Sequence, residues 1–163
     1  MDEILLLSDN DITTNTPLGG NIDVDKYRFC IQDAQISQVE EILGTLLYEK
    51  IKLDYKQDQL TGSYETLYRK YIKPFLIHRS ALEYILVGAF SINNSGIFKF
   101  TPSNGTPIEK VDVDFIANNQ RMKANMYKQR LEQWLCKNHL EEYRCADQIV
   151  NPERKANKGE WYF

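Results

Sequence analysis

Apolar residues recur every three or four positions along most of this chain, and one stretch departs from that pattern by being apolar on nearly every side. It runs from Tyr71 to Ile92, YIKPFLIHRSALEYILVGAFSI, with Ile72, Phe75, Leu76, Ile77, Ala81, Leu82, Tyr84, Ile85, Leu86, Val87, Ala89 and Phe90. A helix of this kind is a buried one, with other helices packed around it. Leu86 is expected in the core, so that Leu86→Asp would prevent folding by burying an unpaired carboxylate. Pro74 fits the first turn, where a missing amide costs nothing, or alternatively kinks a longer helix. At about 18 residues, and with His78, Arg79 and Glu83 inside it, the stretch is a poor membrane span.

The flanking pattern predicts a mainly α fold. It is a helical bundle around this central apolar helix, with one β-hairpin and extended N- and C-terminal arms. Residues 1–24 read as an N-terminal arm, 25–146 as the helical domain and 147–163 as a C-terminal tail. In the arm, Ile4, Leu5, Leu6 and Leu7 form a short buried strand or an apolar anchor. The polar run Asp9–Asp23 is either disordered or laid on a neighbour. A helix starts near Asp25, with Tyr27, Cys30, Ile31, Ala34, Val39, Ile42 and Leu43 at helical spacing, and stops at Gly44. A second helix covers Thr45 to about Tyr55, and a third, capped by Ser63, covers Tyr64–Ile72.

After the central helix the period shortens to two. Ile97-Phe98-Lys99-Phe100-Thr101 reads as a strand, Asn104-Gly105 as a tight reversal and Ile108–Val111 as the returning strand. The last helix, capped by Asp112 or Asp114, runs to about Asn138. Its expected inner stripe is Phe115, Met122, Met126, Leu131, Trp134 and Leu135. The tail ends in Trp161-Tyr162-Phe163 on a polar tether. Such aromatics are favoured interface anchors, or else they fold back on their own core. Read as anchors, they make deletion of Asn157–Phe163 a block to assembly that spares the fold. Residues singled out for partner binding are thus Ile4, Leu5, Leu6, Leu7, Phe98, Phe100, Trp161, Tyr162 and Phe163.

Charge is near balance overall, 20 basic against 23 acidic residues. It is uneven along the chain: residues 1–60 hold 12 acidic and 5 basic groups, and residues 61–163 hold 11 and 15. An acidic front and a basic back suit head-to-tail association between copies. Cys30, Cys136 and Cys145 are widely spaced and form no CxxC pair, which predicts ordinary thiols in a reducing compartment. The start MDEILLLSDND lacks the basic region and apolar length of a signal peptide, so synthesis and assembly are expected in a cytoplasm.

Chemistry is sparse. His78 and His139 are the two histidines, and no nucleophile elbow, phosphate-binding glycine loop or zinc motif is present. Asp9 and Asp11 have the spacing of a calcium loop without its glycine or distal glutamate. No enzyme, cofactor or metal is expected. A helical nucleic-acid-binding regulator, using the cations of the last helix, remains as an alternative, and a small enzyme using Cys30 or His78 as a third class.

Phe29-Cys-Ile-Gln-Asp-Ala-Gln35, Val39-Glu-Glu-Ile-Leu-Gly44 and Leu47-Tyr48 resemble the corresponding helix of head–tail connector (adaptor) proteins of tailed bacteriophages. The order of elements over residues 22–143 and the Asn-, Lys- and Tyr-rich style are similar to neck ring proteins of crAss-like phages. The resemblance implies an α-helical virion protein without catalysis. Its copies would form a dodecameric ring that joins the portal protein to other neck or tail proteins. DNA would pass only through the channel, no membrane would be involved, and the protein would reside in the neck of the particle.

Overall fold

A computed structural model describes residues 4–18, 24–88, 90–93, 96–99 and 110–143. The chain is mainly helical. Helix α1 spans Asp9–Asn15 and α2 spans Val24–Ala34. A π-helical segment, Gln35–Glu40, carries α2 on into the short α3, Glu41–Leu43. Helix α4 is Thr45–Lys56 and α5 is Gly62–Leu67. A second π-helical segment, Tyr68–Ile72, leads without a break into α6, Lys73–Gly88. Strands β1, Phe90–Asn93, and β2, Gly96–Lys99, pair antiparallel before α7, Lys110–Lys137.

The central helix is α6, and its largest interfaces are with α7 and α2. Phe75, Leu76, Ile77, Ala81 and Leu82 are buried, as are Ile72 and Leu67 just ahead of them. Pro74 lies inside a continuous helical run, two residues after the π segment ends. Proline leaves the carbonyl four residues back without a partner and crowds it, and the wider π turn supplies the room. Burial fades toward the end of α6: Leu86 is 40% exposed and Val87 is similar. The expectation that Leu86 lies in the core is therefore corrected. The all-round apolar pattern persists past the point where neighbouring helices enclose α6, and Leu86→Asp is now expected to be tolerated.

Gly44 separates α3 from α4 at φ 73° and ψ 153°. Its amide still reaches the Glu40 carbonyl at 2.8 Å, and its carbonyl accepts from Tyr48 N–H at 3.0 Å. This backbone region is almost confined to glycine, although nothing lies within 4 Å of an added Cβ. Gly44→Ala is expected to cost about 1–3 kcal/mol through backbone strain alone. Urea unfolding checks it: a shifted midpoint with an unchanged slope is the expected result.

The N-terminal segment belongs to the core. Leu6, Leu7 and Ile12 are buried within the same apolar cluster as α2, α4 and α6. Gln35, fully buried, acts as a backbone surrogate: its Oε1 accepts from Leu6 N–H at 2.6 Å and its Nε2 donates to the Ile4 carbonyl at 3.0 Å. Tyr68 OH donates to the Leu6 carbonyl at 2.7 Å. The segment runs beside helices with no strand to pair it, and these side chains replace the missing ladder. Within the described residues, then, the stretch before α2 is neither disordered nor an arm on a neighbour. Asp9–Asn15 is a helix, and Asp11 reaches back to Ser8 N–H at 2.9 Å to cap it.

Two further expectations are corrected. The hairpin centred on Asn104-Gly105 is not supported: Gly96–Lys99 pairs backwards, with Phe90 opposite Lys99 and Asn93 opposite Gly96. Lys110 and Val111, expected in a returning strand, begin α7 instead. Among the cysteines, Cys30 is a buried free thiol, while Cys136 is exposed on the last turns of α7 and disulfide-bonded rather than an ordinary buried thiol. No helix among the described residues is long and apolar enough to cross a membrane.

Candidate interaction surfaces

Helix α7 faces α6 with an unexpected set of residues. Ala117, Gln120, Ala124, Leu131 and Leu135 are buried, at spacings of three, four and seven. Two alanines let the helix axes approach closely, and Gln120 enters the core because His78 receives it: His78 Nδ1 lies 2.9 Å from Gln120 Oε1. Tyr127 stacks on the His78 ring at 5.4 Å, and Tyr71 meets Trp134 at the same separation. Of the stripe expected from sequence, Leu131 and Leu135 are inside and Trp134 packs partly against the core.

The rest of that stripe points away. Phe115 is 74% and Met122 73% exposed, and Val111 and Met126 are exposed with them. Positions 111, 115, 122 and 126 fall on one line of a helix, opposite the line of 117, 120, 124, 131 and 135. Arg121, Lys123 and Arg130 are exposed beside it. A helix with apolar residues on two opposed lines has one more face than its own core uses.

A second outward face lies across α2 and the π segment after it. Tyr27, Cys30, Ile31, Ala34 and Val39 are buried, while Phe29, 57% exposed, and Ile36 look outward. Asp33 and Glu41 are exposed around them, and Glu40 is partly so. The α2 face is thus apolar with a mainly acidic surround, Arg28 being exposed as well, and the α7 face is apolar with a mainly basic one, Asp114 being exposed near its start.

Between α1, the start of α6 and α7 lies a cavity of 530 Å³. Arg69, Lys73 and Lys123 stand at its wall with His78, and Ile77, Met126 and Tyr127 supply apolar surface. Lys73 is committed to Asp11 at 2.7 Å and Arg69 to Glu65 at 2.8 Å. Lys123 has no ion-pair partner among the described residues. Burial, with the nearby Lys123 ammonium, holds His78 below its ordinary value, although the Gln120 hydrogen bond opposes this. Burial also pushes the Cys30 thiol up, to about 11, with Glu83 and Asp33 adding to the effect, so the thiolate a nucleophile requires is disfavoured.

The Asp11–Lys73 pair ties α1 to α6. Burial acts to raise the Asp11 carboxyl, but Lys73 and the two Ser8 hydrogen bonds outweigh it and hold the group below its usual 3.8. A lowered carboxylate stabilises the fold above its unfolded value, and that contribution is lost as pH falls through the folded value. Between pH 5 and 2 the wild-type chain is therefore expected to lose more stability than Asp11→Asn does. Parallel thermal melts across that range check the difference.

The residues singled out from sequence for partner binding divide unevenly. Leu6 and Leu7 are buried in the chain's own core, and Leu5 packs partly against it, so they offer no surface anchor. Ile4 is half-buried, with its carbonyl taken by Gln35. Phe98 lies in β2, and Phe100, Trp161, Tyr162 and Phe163 fall outside the described residues. The α7 face was missed because Phe115, Met122 and Met126 read as core, and the α2 face because Phe29 and Ile36 lie off the expected inner stripe and carried no signal of their own. The signal that separates them is the heptad of small and polar residues at 117, 120 and 124, which marks the true inner line.

No curated protein and no solved structure matches the chain. A protein-family model does match, over residues 39–153, from within the π segment after α2 to beyond α7. The chain therefore belongs to the family of unknown function DUF6712.

Proposed function

We propose that this chain is a structural virion protein, a head–tail connector subunit that forms a ring with its own copies, joins the portal to the tail and continues the DNA channel. The observation that carries the reading is the pair of outward helix faces, apolar at the centre and opposite in surrounding charge. Burying Phe115 and Met122 is worth about 1.5–3 kcal/mol each before ordering costs. Opposed charges around the two faces favour α7 of one copy against α2 of the next over either face against itself. A contact between two different faces is heterologous, and it closes into a ring when the rotation between copies permits. The helical fold and the resemblance of the α2–α4 region to connector proteins point the same way.

The competing reading, a helical regulator holding nucleic acid with the α7 cations, makes an opposite demand, since the centre of that face is apolar. Two measurements separate them. Particles grown without the chain are expected to be filled heads that fail to join tails, and the isolated chain is expected to show no strong salt-dependent binding to duplex DNA. Infectious tailed particles made without it, or affinity for duplex DNA falling steeply with salt, would contradict the proposal.

A further inference from the structure

We propose that the cavity between α1, α6 and α7 is the docking site for the chain's own acidic–aromatic segment, Glu160-Trp161-Tyr162-Phe163. The proposal builds on the ring reading, in which the segment comes from a neighbouring copy, although the same chemistry serves within one copy.

Three observations carry it. The first is charge: of the cations at the wall, Lys73 and Arg69 already have carboxylate partners, and Lys123 has none among the described residues. Lys123 is exposed and open to a carboxylate, and Glu160 offers one beside the aromatic run. The second is size and lining. A cavity of 530 Å³ accommodates an indole with its backbone, and Ile77, Met126 and the Tyr127 ring give that indole an apolar and aromatic surface. Methionine sulfur beside an aromatic ring adds a favourable contact. The third is reach. The described chain ends at Tyr143, 17 residues before Glu160, and an extended chain spans at most about 3.3–3.6 Å per residue. The way back along α7 from Lys137 to Lys123 is only about 1.5 Å per residue. Seventeen residues are therefore long enough for the cavity of the same copy.

Seating the segment would neutralise Lys123, cover Met126 and place one end of the exposed α7 line under cover. The remaining line, Val111, Phe115 and Met122, would stay free for the α2 face of the next copy. Docking of the segment and packing of the ring thus use adjacent, separate parts of α7.

The test follows Trp161 fluorescence in the full chain carrying Trp134→Phe, so that a single indole reports. It is read in dilute solution and again after mixing with portal. A blue-shifted emission and at least a threefold protection from acrylamide quenching are expected in one or both states. Lys123→Glu, at an exposed position, should return both to the values of a free indole, and the swap Lys123→Glu with Glu160→Lys should restore them. A synthetic peptide of residues 157–163 should compete with the seated segment. Trp161 quenched like free indole in both states, or indifferent to Lys123→Glu, would overturn the docking site and leave the ring reading untouched. Protection that is Lys123-dependent in the dilute chain, with no ring formed on portal, would leave the cavity site and remove the ring.

Discussion

Phe115→Asp combined with Met122→Asp is expected to leave the melting temperature of the chain nearly unchanged and to abolish the proposed assembly into rings on the portal. Both side chains are about three-quarters exposed and lie on the line of α7 opposite its buried residues, so the isolated fold loses almost nothing with them. Surface substitutions of this kind fall within about 0.5 kcal/mol. In the proposed contact the same positions are covered by Phe29 and Ile36 of the next copy, amid Asp33, Glu40 and Glu41. Two new carboxylates there lose apolar burial and add like-charge repulsion, an effect repeated at every interface of a closed ring. Analytical ultracentrifugation with electron microscopy of portal mixtures reads the outcome. A variant that melts early would return these residues to the core, and one that assembles normally would take α7 out of the interface.

Gln35→Ala has the largest expected effect on the fold itself. The side chain holds Leu6 N–H at 2.6 Å and the Ile4 carbonyl at 3.0 Å, and it also donates to Tyr48 OH at 3.3 Å. Removing it strands a buried amide and opens a cavity beneath the N-terminal segment. Each orphaned buried group costs about 1–3 kcal/mol, so a total near 3 kcal/mol is expected. Because Tyr68 still holds the Leu6 carbonyl at 2.7 Å, the loss should fall first on residues 4–18. Hydrogen exchange checks this: amides of α1 lose protection well before those of α6. Uniform loss across both helices would show that the segment and the bundle unfold as one unit.

Periodicity made the helices legible, and the reason is visible at α4 and around Gly44. A run of apolar residues at helical spacing met a glycine whose φ of 73° few other residues adopt, and both signals agree. The same method misread α7, because it ranks residues by hydrophobicity. Ala117, Gln120 and Ala124 face the core for reasons of size and hydrogen bonding, while Phe115 and Met122 face solvent. The N-terminal segment was illegible for a different reason. What fixes Leu6 and Leu7 is Gln35, 29 residues away from Leu6, together with Tyr68, and no local pattern carries that pairing. The cavity was hidden likewise, since Asp11, Lys73 and Lys123 meet only after three helices have packed.

The most direct measurement is the mass and symmetry of the particle formed when the chain meets portal rings, by native mass spectrometry and cryo-electron microscopy. A closed ring of this chain coaxial with the portal, dodecameric and with α7 of each copy against α2 of the next, is the expected result. A chain that stays monomeric beside intact portal, or that joins it as a single copy without contacts between its own subunits, would contradict it.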